Sequence, residues 1–135
     1  MLRAVCMDQE VEAFPEGIHT VIGSGGVRLS GGQQARIALA RTLYHPKPLL
    51  VLDDPFAAVD METEAQIFQN LRLWAGDSIV LLISHRLAMF PNLNQVLWME
   101  DGTVTASTHA DLLRTREQYR MFVEAQKKEL KQNER

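Results

Sequence analysis

One cysteine, Cys6, stands in 135 residues. A lone thiol excludes a disulfide framework and a cysteine metal cluster, and it fits a reducing compartment. Long apolar runs are missing too: no stretch reaches the roughly 18 residues that span a bilayer. The opening MLRAVCMDQEVEAF has no apolar core followed by a cleavage site, so no secretory signal is expected there. Nor is there an excess of basic charge. Lys and Arg number 14 against 17 Asp and Glu, a net charge of −3, which offers no broad field for nucleic acid. Internal repeats and low-complexity segments are absent. What remains is a composition 46% hydrophobic and 23% charged, that of a globular chain of about one domain.

Periodicity and turn chemistry set an order of elements. Residues 2–13 are expected to form a short amphipathic helix with Leu2, Val5, Cys6 and Val11 on its apolar side. FPEGIHTVIGSGGVR reads as a turn-rich connection, and a helix opened by Ser30 should run to about His45, stopped by Pro46 and Pro48. PLLVLDD and SIVLLISH are continuous apolar runs, as in parallel strands buried on both faces. Between them METEAQIFQNLRLWA is helical, with Ile67, Leu71 and Trp74 on one side and Gly76 as its stop. RLAMF should make a short helix before Pro91. QVLWMEDGTVTAST should make a hairpin around Asp101-Gly102, and Thr108 with Asp111 should cap a helix through Leu113. A last helix over 115–131 ends in a charged, solvated tail. Strand–helix–strand alternation gives an α/β fold with a parallel sheet.

Three boundaries carry chemistry. Gly31 and Gly32 each cost about 1 kcal/mol inside a helix, so they belong at its mouth. Ser30 before them is a good N-cap. A hydroxyl, bare backbone and the unpaired N–H groups of a first turn together suit an anion, above all a phosphate. Asp53 and Asp54 close an apolar strand, where ligands of open α/β sheets gather. An acid there can hold Mg²⁺, and its neighbour can orient an attacking water. His85 ends the next strand in the same way. The remaining histidines, His19, His45 and His109, and Cys6 have no ligand-like spacing; Trp74 and Trp98 read as packing.

In order and spacing, LSGGQ (29–33), LLVLDDP (49–55), AAVD (57–60) and ISHR (83–86) resemble the signature motif, Walker B, D-loop and H-loop of ABC transporter nucleotide-binding domains. FPEGIHTVIGSGGVRLSGGQ is similar to the exporter-type lead-in L-P-x-G-x-x-T-x-I-G-x-x-G. The resemblance reaches to about Val123. It implies an incomplete P-loop NTPase-like parallel sheet with a helical signature subdomain. Its parts would be a signature subdomain at 1–45, a catalytic-core half at 46–114, and a C-terminal helix and tail at 115–135. It further implies ATP and Mg²⁺ as cofactors, and head-to-tail pairing with a second nucleotide-binding domain. Ser30, Gly31, Gly32 and Gln33 would then face the γ-phosphate of ATP held by that partner. Asp53 would support Mg²⁺, His85 would contact the γ-phosphate of its own subunit's ATP, and Asp60 would signal across the dimer. Transmembrane domains would be further partners, placing the chain at the cytoplasmic face of a membrane.

Two departures stand out. G-x-x-x-x-G-K-[ST] occurs nowhere, and Gly23–Gly26 lack its lysine and hydroxyl, so the sequence looks like the C-terminal portion of such a domain. The P-loop strand would lie between the strand before His85 and that at 95–99, where a gap or strained closure is expected. Asp54 occupies the position where the family usually has glutamate, and its carboxylate is about 1.5 Å shorter in reach. Two functions are therefore kept open: the ATP-hydrolysing module of an exporter, and a non-catalytic partner that supplies the signature motif to another subunit's ATP. A nucleic-acid-associated ATPase of this type disagrees with the acidic balance.

Overall fold

Leu50 and Leu52 lie buried on one face of a strand whose residues Leu49, Val51 and Asp53 point to solvent. This is β1 (Leu49–Asp53) in a computed structural model that describes residues 1–45 and 47–133. It runs parallel to β2 (Ile79–Ile83), with Leu49 opposite Ile79 and Asp53 opposite Ile83. The sequence predicts burial on both faces, but only one face is covered. Leu49, Val51, Ile79, Leu81 and Ile83 form a bare apolar face, exposed by 36% to 69%. A parallel sheet needs helices on both sides. The crossover here contains one helix, α3 (Met61–Trp74), which covers one side.

The chain divides into two compact units, Met1–Ser84 and His85–Arg135. The first begins with a 3-10 turn, Leu2–Val5, and the short helix α1 (Asp8–Glu12), in place of the single helix expected over 2–13. The break is at Cys6, left-handed at φ 55°. Reversing there lets Ala4, Val5 and Met7 all face the core, which one helical stripe could not do. After a 3-10 turn at Gly17–His19 and a tight loop closed by a bridge between Ile22 and Val27 comes α2 (Gly31–Tyr44). It runs as the sequence predicts, with Leu39, Ala40 and Leu43 buried; its expected stop at Pro46 lies outside the described residues. In α3 the buried stripe is Glu64, Ile67, Phe68 and Leu71, continuing to Ala75. Trp74 falls off that stripe and is 45% exposed, contrary to the packing role expected of it. Gly76, at φ 57°, follows the end of the helix as anticipated.

The second unit contains the antiparallel hairpin of β3 (Val96–Glu100) and β4 (Thr103–Ser107). Positive φ at both Asp101 (48°) and Gly102 (74°) is the primed turn that this dipeptide favours. The helix expected at RLAMF does not form, and Phe90–Asn92 make one 3-10 turn instead. Five residues before a proline nucleate a helix poorly, and the Leu87 N–H is bonded at 3.0 Å to Gln126 Oε1. Thr108 caps α4 (His109–Thr115) by accepting from Asp111 N at 3.1 Å, and α5 (Glu117–Asn133) ends the described chain. Their core joins Leu87, Val96, Leu112, Tyr119 and Val123. Trp98 packs edge-on against Tyr119 with ring centres 5.2 Å apart. Among the described residues no helix is long and apolar enough to cross a membrane.

Candidate functional site

Ser30 takes an extended backbone, φ −66° and ψ 162°, and its hydroxyl accepts from Gln33 N at 3.2 Å. Gln33 answers with its side chain, Oε1 accepting from Ser30 N at 2.9 Å. The pair is a complete capping box. The first intrahelical bond then runs from Gln34 N to Ser30 O at 2.9 Å. A helix leaves its leading N–H groups without internal acceptors. Since the N–H of Gln33 is used by Ser30, those of Gly31 and Gly32 are what an incoming acceptor meets. Ser30 and Gly31 are exposed, so the mouth opens to solvent.

The helix mouth lies against the loop that follows β1. A Cβ on Gly32 would come within 2.7 Å of the carbonyl oxygen of Ala58, so this position admits only glycine without a shift of backbone. The loop starts at Asp54, left-handed at φ 43°, whose N–H extends the sheet ladder to Ile83 O at 2.8 Å. Asp and Asn tolerate that conformation best after glycine. Phe56 and Val59 anchor the loop in the core. It ends at Asp60, whose Oδ1 accepts from Thr63 N at 2.9 Å and caps α3. That hydrogen bond holds the Asp60 carboxyl below the usual range. Ser30–Gln33 and Ala57–Asp60 are thus brought together within the first unit. Asp53 ends β1 exposed, and Asp54 is half-buried beside the end of β2. His85 opens the second unit, exposed, its carbonyl accepting from Gln126 Nε2.

Behind the mouth lies a polar relay that sequence reasoning missed. Gln33 Nε2 donates to Glu10 Oε2 at 2.7 Å, and Arg36 Nη1 meets Glu10 Oε1 at 2.7 Å. The same guanidinium donates to Cys6 O at 2.6 Å and, through Nε, to Gly32 O at 3.3 Å. Burial by itself raises the Glu10 carboxyl, but the bonds from Arg36 and Gln33 and the guanidinium charge outweigh it and hold it low. Burial pushes the Cys6 thiol up, against the field of Arg36. Arg36, three residues beyond Gln33 on the same helical face, was the one local signal; Glu10 is 23 residues away in sequence and gave none.

The arrangement fits a phosphate at the helix mouth: free N–H donors, a hydroxyl, the positive helix end and no side chain in the way. For a divalent cation Asp53 offers an exposed carboxylate at the end of β1, and no group of three or more ligand side chains occurs among the described residues. Most ligands of such an ion would be phosphate oxygens and water.

Known proteins resemble this chain in sequence and in fold. The ABC transporter family profile matches residues 7–57. An ABC-type transporter of Zymoseptoria tritici is 39% identical over 105 residues, which are 77% of this chain and 8% of that protein. An ATP-dependent lipid A-core flippase of Burkholderia thailandensis is 38% identical over 113 residues, 83% of this chain and 19% of the flippase. Among solved structures, a bacterial Atm1-family ABC exporter with ATP bound superimposes with a TM-score of 0.82 at 30% identity, over 93% of this chain and 22% of the exporter. The chain belongs to the ABC transporter family, as exporter-type nucleotide-binding-domain sequence. Its fold is the α/β fold of that domain in incomplete form. It spans about a fifth or less of the length of the curated relatives named here.

Proposed function

We propose that this chain serves ATP-driven export by presenting its Ser30–Gly32 helix mouth to the γ-phosphate of an ATP held on the P-loop of a second nucleotide-binding domain. The observation that carries this reading is the complete capping box at an exposed helix mouth, in which the Gln33 side chain is bound to Ser30 N and Glu10 while Ser30 and Gly31 lie open to solvent. Asp53 would be one ligand of the accompanying Mg²⁺, and Asp54 would orient water for attack. His85 would touch the γ-phosphate on this chain's own side, and Asp60 would report across the pair through the loop that packs on Gly32. The bare apolar face and the edge of β2 opposite β1 would receive a P-loop-bearing lobe. Transmembrane domains would tie the assembly to the cytoplasmic face of a membrane. The 8% share of the fungal transporter and 22% share of the exporter leave room for both.

A second reading has one observation in its favour, the short acid at position 54. On it the chain supplies the signature motif to a partner's ATP and turns over little ATP itself. Association with a P-loop-bearing nucleotide-binding domain, followed by light scattering with MgATP or MgADP, tests both readings at once. ATP-specific pairing that Ser30→Ala weakens is expected; indifference to the γ-phosphate would exclude the proposed mouth. ATP turnover in the same mixture separates the hydrolysing module from the non-catalytic partner.

A further inference from the structure

We infer that Glu10 is a positioning residue for the helix mouth, acting through the Gln33 amide. This rests on reading the mouth as phosphate-facing. An amide has one acceptor end and one donor end, and rotating it by half a turn exchanges them. With Oε1 toward Ser30 N at 2.9 Å, the capping box is closed. Turned round, the amide would set an NH₂ donor against the Ser30 N–H donor, and the box would open. Glu10 decides between the two. Its ionised carboxylate only accepts, so at 2.7 Å it pairs with Nε2 and rejects Oε1.

Arg36 holds Glu10 in turn. Its side chain is 12% exposed, and the guanidinium bridges the carboxylate, the carbonyl of Cys6 and the carbonyl of Gly32. The left-handed turn at Cys6 therefore has a purpose beyond packing, because it leaves that carbonyl within reach of Arg36. The relay runs from α1 through Glu10 to Gln33, and from there to the Ser30 backbone that borders the phosphate position. A loss at Glu10 would disorder the mouth without touching a ligand.

Backbone amide exchange of Ser30 and Gln33 in the 135-residue chain, without nucleotide, reads the positioning directly. Glu10→Ala should speed exchange of the Ser30 amide by about tenfold, the factor carried by one hydrogen bond. Glu10→Gln offers one oxygen and one NH₂; with Arg36 donating to the oxygen, the NH₂ faces Gln33 and favours its Oε1, so Ser30 exchange should rise as in Glu10→Ala although the shape of the side chain is kept. A role in packing alone would spare Glu10→Gln. ATP-driven association with a P-loop-bearing domain should weaken about tenfold in both variants, in step with the exchange. Unchanged Ser30 exchange in Glu10→Ala, or wild-type exchange in Glu10→Gln, would overturn the proposal. Faster exchange in Glu10→Ala with association indifferent to ATP, in wild type and Ser30→Ala alike, upholds the hold of Glu10 on Gln33 and overturns the phosphate reading by itself.

Discussion

The carbonyl oxygen of Ala58 lies 2.7 Å from where a Cβ on residue 32 would sit, whereas the nearest atom to a Cβ on residue 31 is Ala58 Cβ at 3.6 Å. The two neighbouring glycines thus answer different demands. Gly32 admits the loop; Gly31 keeps the mouth open. Gly32→Ala should destabilise by about 1–3 kcal/mol through overpacking, even after the roughly 1 kcal/mol that alanine returns as helix propensity. Gly31→Ala should leave unfolding free energy within about 0.5 kcal/mol, as for an unstrained surface change. Urea unfolding of both variants checks this, and equal costs would contradict the division of roles.

Asp60 gives a pH dependence whose sign is fixed. Its carboxyl is held below the usual range in the folded chain. The stabilisation is complete above the unfolded value of about 4 and disappears as pH falls through the lower folded value. Glu10, also held low, acts in the same direction. Wild-type thermal midpoints should therefore drop between about pH 5 and pH 2. Asp60→Asn keeps a good cap but cannot titrate, so its decline should be shallower. Parallel curves for the two proteins would remove Asp60 from the account.

The two faces of β1 should respond differently to truncation. Leu52 is 5% exposed in the main core, and Leu52→Ala should cost about 2–5 kcal/mol. Val51 is 52% exposed on the bare face, and Val51→Thr should change stability by no more than about 0.5 kcal/mol in the chain alone. The same change should weaken binding of a P-loop-bearing lobe, if that lobe covers this face. Guanidinium unfolding of the chain with and without such a lobe measures both effects.

How much was legible follows from the range of each interaction. Ser30 and Thr108 announced their helices because capping is decided within three residues. Asp101-Gly102 announced its hairpin for the same reason. The glycines at the mouth of α2 and the strand-end acids were readable from local pattern, and the fold that the resemblance implied matches the exporter. What could not be read was set by distant partners. Apolar runs promised burial on both sides, but burial depends on what covers the sheet. Trp74 has helical spacing close to that of Leu71, yet the stripe continues to Ala75. The break at Cys6 and the grip of Glu10 on Gln33 depend on contacts across 23 to 30 residues, for which a linear pattern carries no signal.

Asp54 is the site where one substitution should increase activity. The position combines a left-handed φ of 43°, a backbone bond to Ile83 O, and a side chain one methylene shorter than the glutamate usual in the family. A reacting group misplaced by about 1 Å can cost on the order of 10²-fold in rate. In a transporter assembled with this sequence in one nucleotide-binding domain, Asp54→Glu should therefore raise phosphate release from that domain's ATP by up to about 10²-fold. Glutamate suits a left-handed residue less well than aspartate, so the thermal midpoint should fall slightly as the rate rises. Opposite signs for stability and turnover would mark an acid kept short at the expense of hydrolysis. An unchanged rate at saturating MgATP would show that some other step or residue limits turnover, and Asp54 would then be a structural turn residue at the strand end.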